Sequence, residues 1–452
     1  MLRQTRRRSS SNGSAMLVNR RSSITLKDIA YIENIINKTK KISTQIIVLV
    51  IIGMPIFIHV YYTLTYEYKG NLWKMLSAFK WRRVLPKIQS PLVWIFAYGS
   101  LPLQFLFFWL LPANERHLRN ESGVSYRQRW NAFSACLLQM LIYSLGACLR
   151  FYRADVLMDL WSGVMFANLT LCVLIQGYLY YVNNEENNES ESLIRDFYFG
   201  QQRQPIVLDM DVKAFLTNRI MCSLWASYLI AAFAKQRILF EQTTPAFVVV
   251  ASLQFFYIAR RLFLDPCSPD SLDNQNDKAG FYRLWGVLVL LSTLYVTPVT
   301  LISQTDTTPS ILVCVFMFLF GLIAQLFTSA VDAQRMEFRK ENGNVKINGK
   351  DPFYIVAKYR KDTGEGATNL LIGSGFWGVA RHLNYTGEIL SFTLWTFPLQ
   401  MQSVVAYFPL LFLILLLWNR ISSDELRCLL KYHQNWIQYT NKVPYRLLPS
   451  IY

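Results

Sequence analysis

The sequence predicts an all-α, polytopic membrane protein with about ten transmembrane helices. Of its 452 residues, 52% are hydrophobic and 15% are aromatic, and the mean hydropathy is +0.21. Those values exceed what a soluble protein of this length usually shows. Apolar runs recur along the chain, and most have the roughly 20 residues that a membrane-spanning helix needs. The ten runs are 45–64, 92–112, 133–151, 156–182, 214–236, 246–264, 283–304, 310–331, 387–400 and 403–419.

The segment before the first run is polar and basic. Residues 1–41 hold ten Lys or Arg residues against two acids, and they include the clusters RRRSSS and NRRSS. They lack the short apolar core and cleavage site of a signal peptide. We therefore expect a disordered cytosolic tail that is attracted to anionic lipid headgroups. An even number of spans then returns the C-terminal end to the cytosol.

The distribution of cations and cysteines adds two expectations. The loop 65–91 carries six Lys or Arg residues and would face the lumen, so the positive-inside bias is imperfect in this orientation. The seven cysteines lie mostly inside predicted spans and form neither CxxC pairs nor Cys/His ligand patterns. The sequence thus indicates neither a disulfide framework nor a metal site.

Two arginines stand four residues apart where the eighth run ends, in the stretch DAQRMEFRK. This spacing places Arg335 and Arg339 on one face of a helix. Two guanidinium groups on one face can hold a phosphate through forked hydrogen bonds. The alternative is that both cations only flank the membrane and fix its topology.

A polar stripe continues the tenth run at intervals of four residues. It consists of Arg420, Asp424, Cys428 and Tyr432. Asp424 can orient Arg420 while leaving donors free for a ligand. The alternative is an ordinary intrahelical ion pair, but charged groups at membrane depth are costly and favour a functional site.

The stretch Leu370 to Glu388, LLIGSGFWGVARHLNYTGE, combines spaced glycines with aromatic and hydrogen-bonding side chains. Phe376 and Trp377 can stack on a flat ring, and the glycines let backbone amides approach a phosphate closely. Arg381, His382 and Asn384 supply hydrogen-bonding groups. The alternative is an interfacial turn with a tryptophan of the aromatic belt.

The motif GFWGVARHLNYTGE resembles the signature of the sterol reductase family, which includes 7-dehydrocholesterol reductase, sterol C14 reductase and the membrane domain of lamin B receptor. The match covers most of residues 90–452 and is most specific beyond residue 330. Six further stretches fit the family's pattern: RDFYFG, AFAKQ, LQFFY, GFYRLWG, DAQRMEFR and DELRCLLKYHQNW, the last followed by VPYRLLPSIY.

The resemblance implies a ten-span enzyme that reduces a ring double bond of a sterol with NADPH, in the endoplasmic reticulum or the inner nuclear membrane. Residues 42–331 would carry eight helices and the sterol-side pocket, and residues 332–452 the NADPH-binding region with the last two helices. On this sequence the family's cofactor positions fall on Arg335, Arg339, Trp377, His382, Asn384, Glu388, Arg420, Asp424 and Tyr432.

The chain departs from the family pattern at several positions. Glu388 stands where the family has Asp, and Asp332 and Arg335 replace an Asn and a Lys. On the sterol side, Arg260 and Val287 both stand where family members commonly have Asp. The run DNQNDKAGFYRLWGV is less acidic than usual and has no histidine.

A hydride donor does not attack an unactivated double bond, so the reaction also needs an acid. The acid protonates one carbon, and the cation-like centre on the other carbon accepts hydride. In an apolar pocket a phenol or carboxyl group keeps its proton near neutral pH. Tyr257 is the first candidate, with Asp277 and Glu388 behind it, and Asp424 can fix Arg420 or shuttle protons.

Three functions stay open on the sequence. The first is an NADPH-dependent sterol reductase, with the C7 double bond favoured over C14 by RHLNY and by the ending RLLPSIY. The second is a catalytically weakened scaffold resembling lamin B receptor, whose basic tail contacts lamin, chromatin or membrane lipid. The third is a sterol-binding or methyl-transfer protein that shares only the fold. The sequence does not indicate an oligomeric state.

Overall fold

Seven helical segments of the computed structural model are long and apolar enough to cross a membrane, counted over the residues that the structure describes. Those residues are 43–119, 123–184, 192–264, 277–306, 309–360, 366–399 and 403–449. The segments are Thr44–Tyr66, Pro91–Leu110, Trp161–Val182, Pro245–Phe263, Phe281–Ile302, Ile311–Lys340 and Val404–Tyr432. The prediction of a helical, polytopic membrane protein is confirmed. The predicted basic tail, residues 1–41, lies outside the described residues.

The predicted count of ten spans is not confirmed, because the remaining three runs fall on helices that are shorter or less apolar. The run 133–151 lies on a helix of 17 residues, Ala132–Cys148. The run 214–236 is divided between a π-helical turn, Phe215–Met221, and the helix Cys222–Phe240, which carries cations in its last two turns. The run 387–400 lies on a helix of only 14 residues, Leu383–Thr396.

The helices account for most of the described chain. In chain order they are α1 (Thr44–Tyr66), α2 (Leu72–Ser77), α3 (Pro91–Tyr98), α4 (Ser100–Leu110), α5 (Ala132–Cys148), α6 (Val156–Asp159), α7 (Trp161–Asn184), α8 (Leu193–Phe199), α9 (Val212–Ala214), α10 (Cys222–Phe240), α11 (Pro245–Leu264), α12 (Phe281–Trp285), α13 (Ser292–Ile302), α14 (Ile311–Lys340), α15 (Phe376–Val379), α16 (Leu383–Thr396), α17 (Phe408–Tyr432) and α18 (Gln434–Lys442). A second π-helical turn, Gly286–Leu291, joins α12 to α13, and short 3₁₀ turns lie at Trp81–Arg83, Phe397–Leu399 and Val404–Tyr407.

Within the described segments, three short antiparallel strand pairs supplement the helices, so the all-α description needs a small correction. The strands are β1 (Glu115–Arg119), β2 (Ser125–Arg129), β3 (Ile206–Val207), β4 (Met210–Asp211), β5 (Tyr354–Arg360) and β6 (Gly366–Ile372). The pairs are β1 with β2, β3 with β4 and β5 with β6. In the third pair, Tyr354 lies opposite Ile372 at one end and Arg360 lies opposite Gly366 at the other. The consecutive Tyr354, Ile355 and Val356 of β5 are residue types that favour a strand, and this strand pair leads directly into the glycine-rich turn at residue 373.

A glycine brings α14 and α16 into close contact. A Cβ atom added at Gly387 would overlap the hydroxyl of Thr328 and would lie 3.1 Å from the carbonyl oxygen of Ala324. Any larger residue would therefore push the two helices apart. The close approach places the first two turns of α16 against the polar C-terminal half of α14, where several predicted site residues lie.

The two ends of α17 face different parts of the molecule. Just before α17, Ser403 Oγ donates a hydrogen bond of 3.0 Å to the carbonyl oxygen of Gly70, in the cationic loop after α1. Asp424 and Tyr432 lie at the other end of this helix of 25 residues, which spans roughly 37 Å at the standard rise of about 1.5 Å per residue. The cationic loop and the predicted cofactor residues thus lie at opposite ends of the helical bundle.

Candidate functional site

The glycine-rich turn between β6 and α16 is built so that only glycine fits at one position. Gly375 has a φ of +63°, and a Cβ atom there would meet the side chain of Gln334 at 2.5 Å. The same glutamine accepts a hydrogen bond of 2.9 Å from the backbone N–H of Phe376. The turn therefore docks against α14 and starts α15, which carries Trp377 into the protein.

Trp377 is held by α14 on two sides. Its indole Nε1 donates a hydrogen bond of 2.9 Å to the carbonyl oxygen of Val331, and its side chain is only 5% exposed. The guanidinium carbon of Arg335 lies 4.3 Å from the centre of the ring. One face of the indole thus contacts Arg335, so the ring stack with a ligand stays a prediction.

The predicted pair of arginines lies on one face of α14, near the stripe on α17. Arg335 Nη2 is 3.3 Å from Asp332 Oδ1. Asp424 interacts electrostatically with both Arg335 and Arg339, and Arg339 is exposed. The structure therefore brings together two candidate phosphate-binding cations and the carboxylate that the sequence placed on another helix.

The start of α16 forms a second contact with the same part of α14. Asn384 Nδ2 donates a hydrogen bond of 3.0 Å to Asp332 Oδ1, and Thr328 Oγ1 lies 3.4 Å from the carbonyl oxygen of Asn384. Asp332 thus accepts from Asn384 and pairs with Arg335 through one oxygen. The sequence identified Asp332 only as a departure from a family pattern.

Glu388, one turn further along α16, is paired with a residue of α11. Its Oε1 accepts a hydrogen bond of 2.5 Å from Arg260 Nη2. Arg260 Nη1 donates to the carbonyl oxygen of Gln325 at 3.1 Å. The guanidinium carbon of Arg260 lies 5.0 Å from the centre of the Tyr257 ring. Arg260 therefore contacts both the candidate acid Tyr257 and the candidate cofactor residue Glu388.

Tyr257 lies in an aromatic cluster at the centre of the bundle. Its ring meets those of Trp395 and Phe392 edge to face, with centroid distances of 5.3 Å and 6.0 Å. The third candidate acid, Asp277, lies on the segment before α12, where its backbone oxygen accepts a hydrogen bond of 2.7 Å from Lys213 Nζ. The structure thus connects Tyr257 with Glu388 through Arg260, and it places Asp277 beside α9.

His382 is buried among cations just before α16. Burial, together with the charges of the nearby Arg381, Arg335 and Arg446, lowers its pKa from 6.5 to about 3. The ring is therefore neutral at physiological pH, and it stacks on Tyr385 with a centroid distance of 5.4 Å. Its Nε2 is buried and has no hydrogen-bond partner within the described part of the chain. A buried, unpartnered nitrogen beside three cations fits a polar, anionic ligand.

Arg381 and its neighbours fix the segment after α18. Arg381 Nε and Nη2 both donate to Glu425 Oε1, at 2.8 Å and 2.6 Å, and Nη1 donates to the carbonyl oxygen of Val443 at 2.6 Å. The backbone N–H of His382 donates to the carbonyl oxygen of Arg446 at 2.8 Å. The Arg381 guanidinium is thus engaged by the protein itself rather than held ready for a ligand.

The C-terminal end of the α17 stripe lies beside β5 and β6. The Tyr432 hydroxyl accepts a hydrogen bond of 2.7 Å from Asn369 Nδ2, and its ring meets that of Tyr359 edge to face at 5.6 Å. Arg420 is half-buried one turn before Asp424. The pairing of Arg420 with Asp424 stays a prediction.

Taken as a site, α14, the glycine-rich turn, α16 and α17 bring together most residues that the sequence singled out. The arrangement offers cations for phosphate groups and, in His382, a buried nitrogen for a further hydrogen bond. The donor set thus fits a dinucleotide phosphate. Side chains that join these residues, and that the sequence did not propose as site residues, are Arg260, Asp332, Gln334, Asn369 and Glu425.

The family model for ergosterol biosynthesis, the ERG4/ERG24 family, matches residues 29–452. A 7-dehydrocholesterol reductase from Arabidopsis thaliana is 33% identical over 301 residues, which cover 66% of this chain and 69% of that protein. A 7-dehydrocholesterol reductase from Xenopus laevis is 27% identical over 395 residues, or 85% and 83% of the two chains. A Delta(14)-sterol reductase from Methylotuvimicrobium alcaliphilum is 26% identical over 416 residues, or 90% and 94%.

Proposed function

The chain belongs to the ergosterol biosynthesis ERG4/ERG24 family of membrane sterol reductases, and from that premise we propose that it reduces the C7 double bond of a sterol with NADPH. The observation that carries the proposal is a pair of neighbouring contact series, Tyr257 through Arg260 to Glu388 and Asp332 through Arg335 to Trp377. Asp332 interacts electrostatically with Arg260 and Glu388, so the two series bring an apolar aromatic cluster near a cationic surface, as a reaction between a sterol and a nucleotide requires.

The cationic surface supports NADPH as the coenzyme. Arg335 and Arg339 would hold the 2′-phosphate, because a guanidinium group binds phosphate oxygens in a forked geometry. His382 Nε2 and the Asn384 side chain would bind polar groups of the nucleotide. When bound, NADPH supplies the hydride. The same surface turns towards the cytosol if the chain spans the membrane ten times, as the ten apolar runs predict.

The aromatic cluster supports Tyr257 as the proton donor. A phenol surrounded by Trp395 and Phe392 is shielded from water, and such an environment favours the neutral, protonated form. Its proton goes to one carbon of the double bond and hydride goes to the other, so the double bond becomes a single bond and the tyrosinate is reprotonated from solvent. On the coenzyme side, Glu388 would accept a hydrogen bond from NADPH, and Asp424 would orient the cations that bind it.

Substrate choice is the finer part of the proposal. Two of the relatives described above are named for 7-dehydrocholesterol and one for a Δ14-sterol, and the alternative of a lamin-binding scaffold receives no support from them. The turn RHLNY favours the C7 enzymes. We place the protein in the endoplasmic reticulum membrane, where such sterols would reach it by diffusion in the bilayer.

A direct assay tests the proposal. Membranes that contain the full chain are supplied with NADPH and either 7-dehydrocholesterol or a C14-unsaturated sterol, and the products are separated by mass. We expect saturation of the C7 double bond and little change in the second substrate. Saturation of the C14 double bond alone would contradict the substrate assignment, and no change in either sterol would contradict the reductase activity.

A further inference from the structure

Arg260 occupies a junction between three helices of the proposed active site. It lies on α11, three residues after Tyr257. Nη1 donates a hydrogen bond to the Gln325 carbonyl oxygen on α14, and Nη2 donates to the Glu388 carboxylate on α16. The two nitrogens thus reach two different helices, and this fixes the plane of the guanidinium group beside the Tyr257 ring.

The ion pair is shielded from water. The Arg260 side chain is 11% exposed and that of Glu388 is 17% exposed. Ion pairs in such surroundings are costly to form, but each partner is strongly bound to the other once they are formed, because a lone charge would be left without solvent. A change of either residue should therefore alter the position of the other.

The neighbouring acid extends this arrangement towards the coenzyme surface. Asp332 interacts electrostatically with both Arg260 and Glu388, yet its own contacts are Asn384 and Arg335. The carboxylates of Glu388 and Asp332 thus form ion pairs with different arginines. Arg260 holds Glu388 on one side, and Arg335 holds Asp332 on the other.

We propose that Arg260 is a positioning residue of the sterol reduction, which fixes the Tyr257 ring on one side and the Glu388 carboxylate on the other. The inference rests on the proposed function. An ion-paired carboxylate accepts hydrogen bonds and does not donate them. Glu388 is therefore a hydrogen-bond acceptor for the coenzyme and not the proton donor.

A double-mutant cycle tests the inference with the full chain in detergent. The variants are Arg260→Met, Arg260→Lys, Glu388→Gln and the double variant Arg260→Met with Glu388→Gln. The dissociation constant for NADPH, kcat and KM for the sterol, and the thermal midpoint are measured for each. The exposed Arg237 of α10 serves as the matched control, and Arg237→Met should change none of them.

We expect Arg260→Met to lower kcat by about tenfold or more and to weaken NADPH binding by about fivefold, with little change in the KM for the sterol. Arg260→Lys keeps the charge but has only one nitrogen in place of the two that reach α14 and α16, so its values should fall between those of the wild type and of Arg260→Met. The double variant should be no worse than the more severe single variant, because residues that act as a unit are not additive. A purely structural role would move the thermal midpoint without this split between kcat and KM.

Three results would overturn the inference: NADPH binding that is unchanged in Arg260→Met, losses that simply add in the double variant, or no rescue by Arg260→Lys. If Arg260→Met does not fold, Glu388→Gln decides, because it keeps the shape of Glu388 and should weaken NADPH binding to a similar extent. Absence of sterol turnover in the wild type would refute the reductase function, whereas the cycle in NADPH affinity would still decide the role of Arg260.

Discussion

Arg335 contacts Trp377 and Asp332 at the same time, with its guanidinium carbon 4.3 Å from the indole centre and Nη2 3.3 Å from the carboxylate. The indole fixes one face of the guanidinium group by a cation–π contact, and the acid fixes one edge. Such a pre-oriented cation loses little conformational freedom when a phosphate binds. Arg335, held by Trp377 and Asp332, is thus the part of the site that most favours a phosphorylated ligand.

The first prediction concerns coenzyme choice. Replacing both Arg335 and Arg339 by Ala should weaken NADPH binding by more than tenfold, or about 1.4 kcal/mol, because two charge-assisted phosphate contacts are lost. NADH lacks the 2′-phosphate and serves as the control, and its weaker binding should change much less. Binding to solubilised protein measures both constants. Equal affinities of the wild type for NADPH and NADH would rule out this role of the arginines.

The second prediction concerns Asp424, which keeps its shape but loses its charge in Asp424→Asn. The carboxylate lies in the electrostatic range of Arg335, Arg427 and Arg339, so its loss should disturb the cations that hold the coenzyme. We expect turnover to fall by about tenfold or more. The thermal midpoint should stay close to that of the wild type. A variant with normal turnover would show that Asp424 has no part in the reaction.

The third prediction concerns the contact between α14 and α16. A methyl group at Gly387 would collide with Thr328 and crowd the Ala324 carbonyl oxygen, so Gly387→Ala should destabilise the fold by about 1–3 kcal/mol. It should also weaken NADPH binding, because Asn384 and Glu388 lie on the same turns of α16. Gly177→Ala in α7 is the matched control, since a Cβ atom there meets nothing within 4 Å. Similar thermal midpoints in the two variants would contradict the close packing.

The fourth prediction is a pH dependence that originates at His382. Its pKa is about 3 in the folded protein against an ordinary value of 6.5, so below pH 6.5 the unfolded chain binds a proton that the folded protein does not. Between pH 6.5 and about pH 3, the free energy of unfolding should therefore fall by about 1.4 kcal/mol for each pH unit. His382→Gln removes this term.

The fourth prediction is checked by comparing chemical unfolding of both proteins near neutral pH and near pH 5. Between these two pH values, the free energy of unfolding of His382→Gln should fall by about 2 kcal/mol less than that of the wild type. Parallel pH profiles would mean that His382 titrates normally in the folded protein.

Most of the helical architecture could be predicted from the sequence because a membrane span is a local property. Length and hydropathy alone place seven of the ten predicted runs on helices that can cross a membrane. The strand pair β5–β6 is different. The segment YIVAKYR holds the β-branched and aromatic residues that strands favour, but its alternating burial exists only in the folded protein, where β6 pairs with it.

The candidate site could be predicted only where its contacts lie within one helix or one turn. Spacing along the chain placed Arg335 beside Arg339 and identified the turn that carries Trp377. The pairing of Arg260 with Glu388 joins residues 128 positions apart, and it depends on how α11 packs against α16. The sequence marked both positions as departures from the family pattern, but no local pattern connects them.

The hydrogen bonds that join the glycine-rich turn to the segment after α18 have a consequence for biosynthesis. Arg381 and His382 bind the backbone of Val443 and Arg446, and Thr386 Oγ1 donates to the Leu447 carbonyl oxygen at 3.1 Å. These partners are synthesised about sixty residues after the turn itself, and a ribosome adds about 5–20 residues each second. The turn therefore waits several seconds in the nascent chain before its partners emerge, and the coenzyme surface cannot complete its contacts until then.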